Sequence, residues 1–312
     1  MRSLPEAIAD YIHLRQSLGL KLHNAARELR HFASFLERKE ATHVTIALAV
    51  EWATQSPKAS PITAAKRIAF VRGFARHWSA TDPRTEVPPE SLLPFRPNRA
   101  RPYLYSEEEV EKLLNAAIRM IPREGLRGKT YYCLLGLLSV TGLRISEAVN
   151  LERADVDFEE SMLTVRKTKF GKTRLVPLHP STVVVLVDYA AGRDALVPNP
   201  TSKKFFLNEN GQPLLKGTVQ TRFREVCRRI GLRAPNDKRG PRLHDFRHRF
   251  AIHTLTGWYR QEEDIDRLLP VLSTFLGHVR VSCTYWYISV EPELMGAATR
   301  RLERRWEVRD AK

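Results

Sequence analysis

The sequence predicts a mostly helical protein of two domains, with a small β-hairpin in the second domain. Three observations support this fold class. Apolar residues recur at helical spacing through most of the chain. A proline-rich stretch from Thr81 to Arg101 interrupts that spacing, and two neighbouring β-rich segments follow later. We therefore expect a helical domain at 1–80, an extended linker at 81–103 and an α+β domain at 104–312.

The N-terminal domain is expected to be a bundle of short helices. They are placed at Leu4 to Ser17, at Ala25 to Glu37 with Asn24 as its cap, from a cap at Thr45 through Trp52, and from Pro61 onward. The fourth helix has apolar residues on one face. Its other face carries the cations Lys66, Arg67, Arg72 and Arg76.

The second domain is predicted to begin at a capping box, Ser106-Glu107-Glu108-Glu109. A nearly all-apolar helix follows from Thr130 to Val140. Met162 to Thr168 and Thr173 to Leu178 have the alternation of a β-hairpin around Lys169-Phe170-Gly171-Lys172. Further helices are expected at 181–191, 217–230, 243–256, 265–276 and 283–289.

Composition narrows the class of partner. Lys and Arg number 51 against 35 Asp and Glu, which gives a formal net charge of +16 and a pI near 10.0. A surplus of this size favours a polyanionic partner, and nucleic acid is the usual one. The basic face of the fourth helix is then either simply solvated or in contact with a DNA backbone, and the second alternative is slightly favoured.

The cysteines and apolar runs predict the compartment. Cys133, Cys227 and Cys283 are widely separated and lack a CxxC pair, so neither a disulfide framework nor a zinc site is expected. The start of the chain lacks the apolar core of a signal peptide, and the apolar runs are too short to span a bilayer. We expect a cytoplasmic protein without membrane contact, metal or cofactor.

Three short motifs could carry chemistry. Arg144 follows a helix that ends at Gly142, where it can either hold an anion or pair with Glu147. His244 and Arg247 are three residues apart and so share one face of a helix, which suits the oxygens of a phosphate. His278 follows Gly277 at a helix end, and Tyr287 stands nine residues later in an aromatic cluster that by itself would indicate core packing.

Together these residues resemble the tyrosine recombinases, the phage-integrase and Xer-like group. The shared pattern is Thr-Gly-Leu-Arg ending at Arg144, a hairpin lysine, His-x-x-Arg at His244 and Arg247, Leu-Gly-His ending at His278, and Tyr287. The segment Arg174 to Leu178 (RLVPL) matches the strand that follows the hairpin lysine. The resemblance covers Leu104 to the C-terminus. For the N-terminal part it extends only to its helical character.

The resemblance also selects among neighbouring candidates. Lys169 stands five positions before Arg174, where the lysine of the family falls, and Lys172 is the second choice. The spacing from His278 selects Tyr287, which leaves Tyr285 as a packing residue. Arg249 departs from the small residue of many relatives; it either adds a phosphate contact or does nothing.

The family chemistry implies a role for each of these residues. Tyr287 would attack a DNA phosphate, Arg144 and Arg247 would clamp its oxygens, and His244 or His278 would share the phenolic proton. Lys169 would protonate the leaving 5′ oxygen, and Glu147 would support Arg144. The product would be a 3′-phosphotyrosine, formed without metal or ATP.

The resemblance implies double-stranded DNA as the partner, enclosed by the two domains. It also implies a homo-tetramer on two synapsed sites, and companion recombinases as further partners. The basic tail beyond Val290 would dock on a neighbouring protomer, or fold back on its own domain. The moved element would be a transposon, a genomic island or a phage, and the segment from Tyr285 to Met295 favours the first two. The alternatives are a type IB topoisomerase-like enzyme and a non-catalytic DNA-binding regulator on the same scaffold.

Overall fold

Helices dominate the chain in its computed structural model. The structure describes residues 3–56, 60–93, 101–121, 125–166, 173–237 and 240–310. The chain divides into two compact units, Met1–Ala100 and Arg101–Lys312.

Four helices form the N-terminal unit as far as the structure describes it. They are α1 (Leu4–Ser17), α2 (His23–Arg38), α3 (Ile46–Thr54) and α4 (Pro61–Trp78). The Thr45 side chain accepts a hydrogen bond from the backbone N–H of Leu48, which confirms the predicted cap of α3. The predicted cap of α2 is wrong, because the helix already begins at His23, one residue before Asn24. Leu22 is the residue at the N-cap; its backbone is left-handed (φ 41°), and its side chain makes no capping hydrogen bond.

Aromatic side chains fill the core between these helices. Phe32, Trp52 and Phe74 are almost completely buried together with Ile8 and Ile68. The rings of Phe32 and Trp52 lie 5.0 Å apart between centroids. The buried residues recur three or four positions apart in each helix, so the amphipathic pattern of the sequence accounts for this packing.

The stretch after α4 differs from the extended linker that the prolines predict. Leu92 and Leu93 pack against the N-terminal core. The Arg72 guanidinium donates to the backbone carbonyls of Pro88 and Pro89, at 2.7 Å each, and the Glu86 N–H donates to the Val44 carbonyl. Residues 81–93 therefore belong to the N-terminal unit, because these hydrogen bonds and apolar contacts offset the conformational entropy that the segment loses when it is ordered.

The second unit consists of helices around a small sheet. Its elements are α5 (Glu107–Ile118), α6 (Leu126–Thr141), α7 (Ile145–Ala148), a 3₁₀ turn (Arg153–Asp155), β1 (Val156–Asp157), β2 (Met162–Val165), β3 (Arg174–Pro177), α8 (Pro180–Leu196), α9 (Lys216–Arg229), α10 (Asp245–Arg260), α11 (Ile265–Leu276), α12 (Ser282–Val290) and α13 (Pro292–Asp310). The mostly helical fold class with a small sheet is confirmed.

The sheet is antiparallel in the order β1-β2-β3. Leu163 of β2 pairs with Val156 on one side and Val176 on the other, and all three side chains are buried. The two strands of the predicted hairpin are present, whereas β1 is too short to show a sequence pattern. The connection between β2 and β3, with Lys169 and Lys172, lies outside the described residues.

Two apolar clusters hold the second unit together. The larger one surrounds α6, whose Leu134, Leu135 and Leu138 are fully buried. The smaller one joins α10, α11, α12 and the start of α13 through residues such as Leu255 and Leu276. Among the helices that the structure describes, none combines the length and the apolar character that crossing a bilayer requires.

Candidate active site

Two guanidinium groups bind the ends of two helices, α6 and α11, that are distant in sequence. Arg247, on α10, donates to the carbonyl of Gly142 at 3.0 Å and to the carbonyl of Leu276 at 2.5 Å. Arg144, before α7, donates to the carbonyl of Gly277 at 3.0 Å. Carbonyls at helix ends lack partners within the helix, so these arginines satisfy them. The three predicted motifs are thereby brought into one site.

Glycine is required at both of the helix ends that the arginines bind. Gly142 and Gly277 have φ values of 60° and 66°, in the left-handed region. A Cβ atom on Gly142 would lie 2.8 Å from Cδ1 of Phe250, and one on Gly277 would lie 2.8 Å from Nη1 of Arg174. The turns that present these carbonyls therefore depend on the absence of a side chain.

Glu147 is held between two arginines beside this junction. Arg144 donates to it from its backbone N–H and its guanidinium, at 3.0 and 2.7 Å, and Arg174 donates through two guanidinium nitrogens, at 3.2 and 2.8 Å. Burial alone would raise the pKa of the Glu147 carboxyl, but hydrogen bonds and charge from Arg174 and Arg144 hold it below its usual value. Of the two alternatives that the sequence left for Arg144, the structure shows the pair with Glu147, and binding of an anion stays a prediction.

Arg174 is a site residue that sequence reasoning did not assign. Its side chain is nearly buried, and its Nε donates to the Phe275 carbonyl at 2.7 Å. It therefore connects β3 to the end of α11. The RLVPL segment carried the signal, because a cation that begins a strand of this small sheet must point toward a counter-charge when it is buried.

Positive charge is concentrated around Arg247. Its hydrogen-bond partners in the described residues are backbone carbonyls rather than a carboxylate. Burial and the neighbouring Arg144 lower the pKa of the Arg247 guanidinium to about 10. Three neighbouring arginines, Arg144, Arg174 and Arg247, with the single carboxylate Glu147 beside them favour binding of a further anion.

His244 immediately precedes α10 and lies near enough to Arg247 and Arg144 for their charges to act on it. Part of its side chain is exposed. Partial burial and the charges of Arg247 and Arg144 lower the pKa of its imidazole to about 4. The ring is therefore neutral near pH 7, when it can accept or donate a hydrogen bond.

The hydroxyl of Tyr287 faces the same helix. Tyr287 is 2% exposed, and its oxygen lies within hydrogen-bond distance of Nδ1 of His248, at 3.3 Å. Its ring is nearly parallel to that of His278, with 6.2 Å between centroids. Tyr285, in contrast, is 51% exposed, so the expected packing role of Tyr285 is wrong. Residues two apart on a helix point in nearly opposite directions.

Two further contacts order the histidines. Nδ1 of His278 lies 2.7 Å from Oγ1 of Thr284, one turn before the tyrosine. The rings of His244 and His248 meet edge to face at 4.7 Å. His248 was missed as a site residue, although its spacing of four from His244 places both on one helix face.

The predicted DNA-contacting cations fall into two groups. Lys66 and Arg76 on α4 are exposed. Arg67 pairs with Glu28 at 3.0 Å and lies over the Trp52 ring, and Arg72 binds the carbonyls of the proline-rich stretch. Arg249 is buried, pairs with Glu107 and donates to the Tyr105 carbonyl. These contacts favour a structural role for Arg67, Arg72 and Arg249.

The described residues contain no group of His, Cys, Asp and Glu side chains arranged to hold a metal ion. The cations of the site are instead arginine side chains, and its proton-transfer groups are histidines and a tyrosine. Such a set can bind an anion, stabilise negative charge that develops on it and transfer a proton.

Known proteins are similar to this chain over much of its length. The model of the phage integrase family matches residues 104–293. The y4rB integrase/recombinase of Sinorhizobium fredii is 51% identical, over 99% of this chain and 100% of that protein. Tyrosine recombinase XerD of Caulobacter vibrioides is 30% identical, over 75% of this chain and 72% of that protein.

The fold of the chain also matches that of a solved structure. The structure of the Tn1549 transposon integrase in complex with transposon right end DNA matches with a TM-score of 0.70 and 18% identity. The match covers 97% of this chain and 99% of that chain.

Proposed function

The chain belongs to the phage integrase family of tyrosine recombinases, and from this membership we propose that it cuts and rejoins DNA through a covalent bond between Tyr287 and a backbone phosphate. One observation carries the proposal. The Tyr287 hydroxyl is within hydrogen-bond distance of α10, the helix whose Arg247 ties together the turns of the other two motifs.

The proposed reaction begins with attack of the Tyr287 oxygen on phosphorus. A phenol with a pKa of about 10 is almost entirely protonated at neutral pH, so a histidine must accept or share its proton. His244 and His278 are the candidates. The new bond joins the phenolic oxygen to phosphorus, and the bond to the 5′ oxygen breaks.

The arginines would stabilise the negative charge of the reacting phosphate. Negative charge grows on the non-bridging oxygens in the transition state, and fixed guanidinium groups stabilise it without reorganisation. Arg144 and Arg247 would supply these groups, and Glu147 and Arg174 would hold Arg144 in place. Lys169 would protonate the leaving 5′ oxygen, as the family resemblance implies.

The reverse reaction completes the exchange of strands. The 3′-phosphotyrosine keeps the phosphoester bond, so the 5′ hydroxyl of another strand can displace Tyr287 without ATP. Because Tyr287 is buried in the DNA-free chain, DNA binding must open a path to its hydroxyl.

We propose double-stranded DNA as the partner, with four copies on two synapsed sites and companion recombinases as further partners. The solved Tn1549 integrase complex contains DNA, and this chain carries a net charge of +16. Lys66 and Arg76 are exposed on α4 for contact with phosphates. The start of α13 folds back on its own unit, since Leu294 is fully buried there, whereas Met295 and Leu302 are exposed for a neighbouring protomer.

We also propose that the chain integrates or mobilises a genetic element. The integrase/recombinase relative from Sinorhizobium fredii is similar over its whole length, and the Tn1549 transposon integrase has the same fold.

A covalent trap tests the function. Duplexes that bind the chain are selected from a random-sequence library, nicked so that the cleaved strand diffuses away, and incubated with the protein. We expect a denaturation-resistant protein–DNA adduct with the wild type and none with Tyr287→Phe. Absence of an adduct with the wild type would favour the non-catalytic regulator. Relaxation of any supercoiled plasmid without joint products between two sites would favour the topoisomerase.

A further inference from the structure

Arg233 is a buried arginine whose charge has no counterpart among the residues that the structure describes. The residue is 8% exposed. Its Nε is fully buried and lacks a hydrogen-bond partner, and no carboxylate among the described residues forms an ion pair with it. A buried guanidinium nitrogen without an acceptor is costly, so such groups are usually hydrogen-bonded.

The loop around Arg233 holds the side chain in place by packing. Leu232 donates its N–H to the Cys227 carbonyl at 2.9 Å, which fixes the loop to the end of α9. On the other side, a Cβ atom on Gly240 would lie 3.4 Å from Nε of Arg233, at a φ of 146° that favours glycine. The loop therefore closes tightly over the arginine but gives its Nε no acceptor.

The nearest carboxylates in sequence are already engaged. Asp237 accepts a hydrogen bond from the Ala234 N–H at 2.9 Å, within its own turn. Asp245 is fully buried and accepts from the backbone N–H and the guanidinium of Arg242, each at 2.8 Å. Neither of these carboxylates is therefore a partner of Arg233.

The segment that contains Arg233 is strongly basic and leads directly to His244. Residues 228–242 carry one acid, Asp237, and the cations Arg228, Arg229, Arg233, Lys238, Arg239 and Arg242. This charge density repels a second basic surface and attracts a polyanion. A phosphate diester fits a guanidinium in both charge and geometry.

We propose that Arg233 binds a phosphate of the DNA backbone other than the one that Tyr287 attacks. The guanidinium has no ion pair with a described carboxylate before DNA arrives, and the contact fixes the duplex relative to the start of α10. This inference rests on the proposed function, because it requires DNA as the partner.

The proposal predicts opposite effects on folding and on binding. Replacing the unpaired cation by an apolar side chain of similar length removes a buried charge, so Arg233→Met should raise the melting temperature of the DNA-free protein, by roughly 2 °C or more. The same variant should bind DNA more weakly. Its salt dependence, the slope of log K against log [salt], should decrease in magnitude by about 0.9, the value for one phosphate that is no longer neutralised.

Controls separate this contact from a general decrease in charge. Arg222→Gln removes an arginine of the same unit whose charge is met by Glu225 at 2.8 Å, and we expect an unchanged slope. Arg233→Lys keeps the charge and should retain the slope, which separates loss of the charge from loss of the arginine side chain. Binding is measured with one short duplex of random sequence for all proteins.

The outcomes distinguish the two proposals. If the wild type binds this duplex with a steep salt dependence but Arg233→Met has the same slope, the phosphate contact is wrong. If Arg233→Met lowers the melting temperature, Arg233 has an internal partner, which also overturns it. If the wild type does not bind DNA at all, the proposed function fails first.

Discussion

The hydroxyl oxygen of Tyr287 lies 3.3 Å from Nδ1 of His248, on the helix that also carries Arg247. The His248 ring meets both Trp286 and Tyr287 at an angle of 60°, with centroid distances of 5.4 and 5.5 Å. The tyrosine is thus oriented by two contacts from α10, a polar one at its hydroxyl and an aromatic one at its ring.

Replacing Tyr287 tests the assignment of the nucleophile. Tyr287→Phe should abolish the covalent adduct with nicked DNA, because no oxygen remains to bond to phosphorus. The matched control is Tyr285→Phe, which removes a hydroxyl from the exposed face of the same helix. It should form the adduct at the wild-type rate. An adduct that persists in Tyr287→Phe would exclude Tyr287 as the nucleophile.

His248 is expected to orient the tyrosine hydroxyl. His248→Phe keeps an aromatic ring but removes the hydrogen bond, and a bond worth about 1.4 kcal/mol corresponds to a roughly tenfold slower cleavage step. The measurement is the single-turnover rate of adduct formation at saturating protein. DNA affinity should not change, and an equal or faster rate would show that His248 does not assist the reaction.

Glu147 should contribute strongly to stability. Glu147→Gln leaves Arg144 and Arg174 without their carboxylate, and removing one partner from a buried ion-pair network costs about 3 kcal/mol. Urea denaturation measures the free energy of unfolding. Glu225→Gln is the control, because its ion pair with Arg222 is exposed and such pairs contribute about 0–1 kcal/mol.

The same carboxyl predicts a pH dependence. The pKa of Glu147 is lower in the folded chain than its ordinary value of 4.5, so the stabilisation is fully present above pH 4.5. It is lost as the pH falls through the folded-state pKa. The wild type should therefore lose more stability below pH 4.5 than Glu147→Gln does. Parallel stability curves for the two proteins would contradict this.

His244 should link DNA binding to proton uptake. Its pKa is about 4 in the DNA-free chain, and a bound phosphate raises it because an anion favours the imidazolium. Affinity for DNA should then increase as the pH falls toward 4. In His244→Gln this increase should be smaller, whereas His43→Gln, a histidine of the other unit, should behave as the wild type. Titration of affinity against pH compares the three proteins.

Replacing exposed cations and replacing a buried arginine should have different effects on the salt dependence of DNA binding. The double variant Lys66→Gln and Arg76→Gln should lower the magnitude of the salt dependence of DNA binding by about 0.9 for each phosphate that is no longer neutralised. Arg249→Met should leave that slope unchanged. It should also destabilise the protein, because it removes the ion pair with Glu107 and the hydrogen bond to the Tyr105 carbonyl. A reduced slope for Arg249→Met would restore that residue to the DNA-binding surface.

The sequence predicted those features that local chemistry determines. The α3 cap at Thr45, the capping box at Ser106 and the left-handed ends at Gly142 and Gly277 are short-range signals, and the structure has each of them. The start of α2 was misplaced because Asn24 is a good cap by type, whereas the helix begins at His23, after Leu22, which packs against the N-terminal core.

Long-range partners could not be predicted in the same way. Arg174 and Glu147 are 27 residues apart, and only the fold reveals that they meet. Arg67, Arg72 and Arg249 appeared as surface cations because charge pattern alone does not distinguish a solvated guanidinium from one that binds a carbonyl or carboxylate. The buried orientation of Tyr287 and the exposure of Tyr285 likewise follow from how α12 packs, not from its composition.

Gly277 serves both arginines that hold Glu147, in two different ways. It offers its carbonyl to Arg144, and the space where its side chain would be is filled by the guanidinium of Arg174. Alanine, ordinarily the mildest replacement, is therefore already too large at this position. Tolerance to substitution at 277 should fall in a single step after glycine instead of declining gradually with side-chain size.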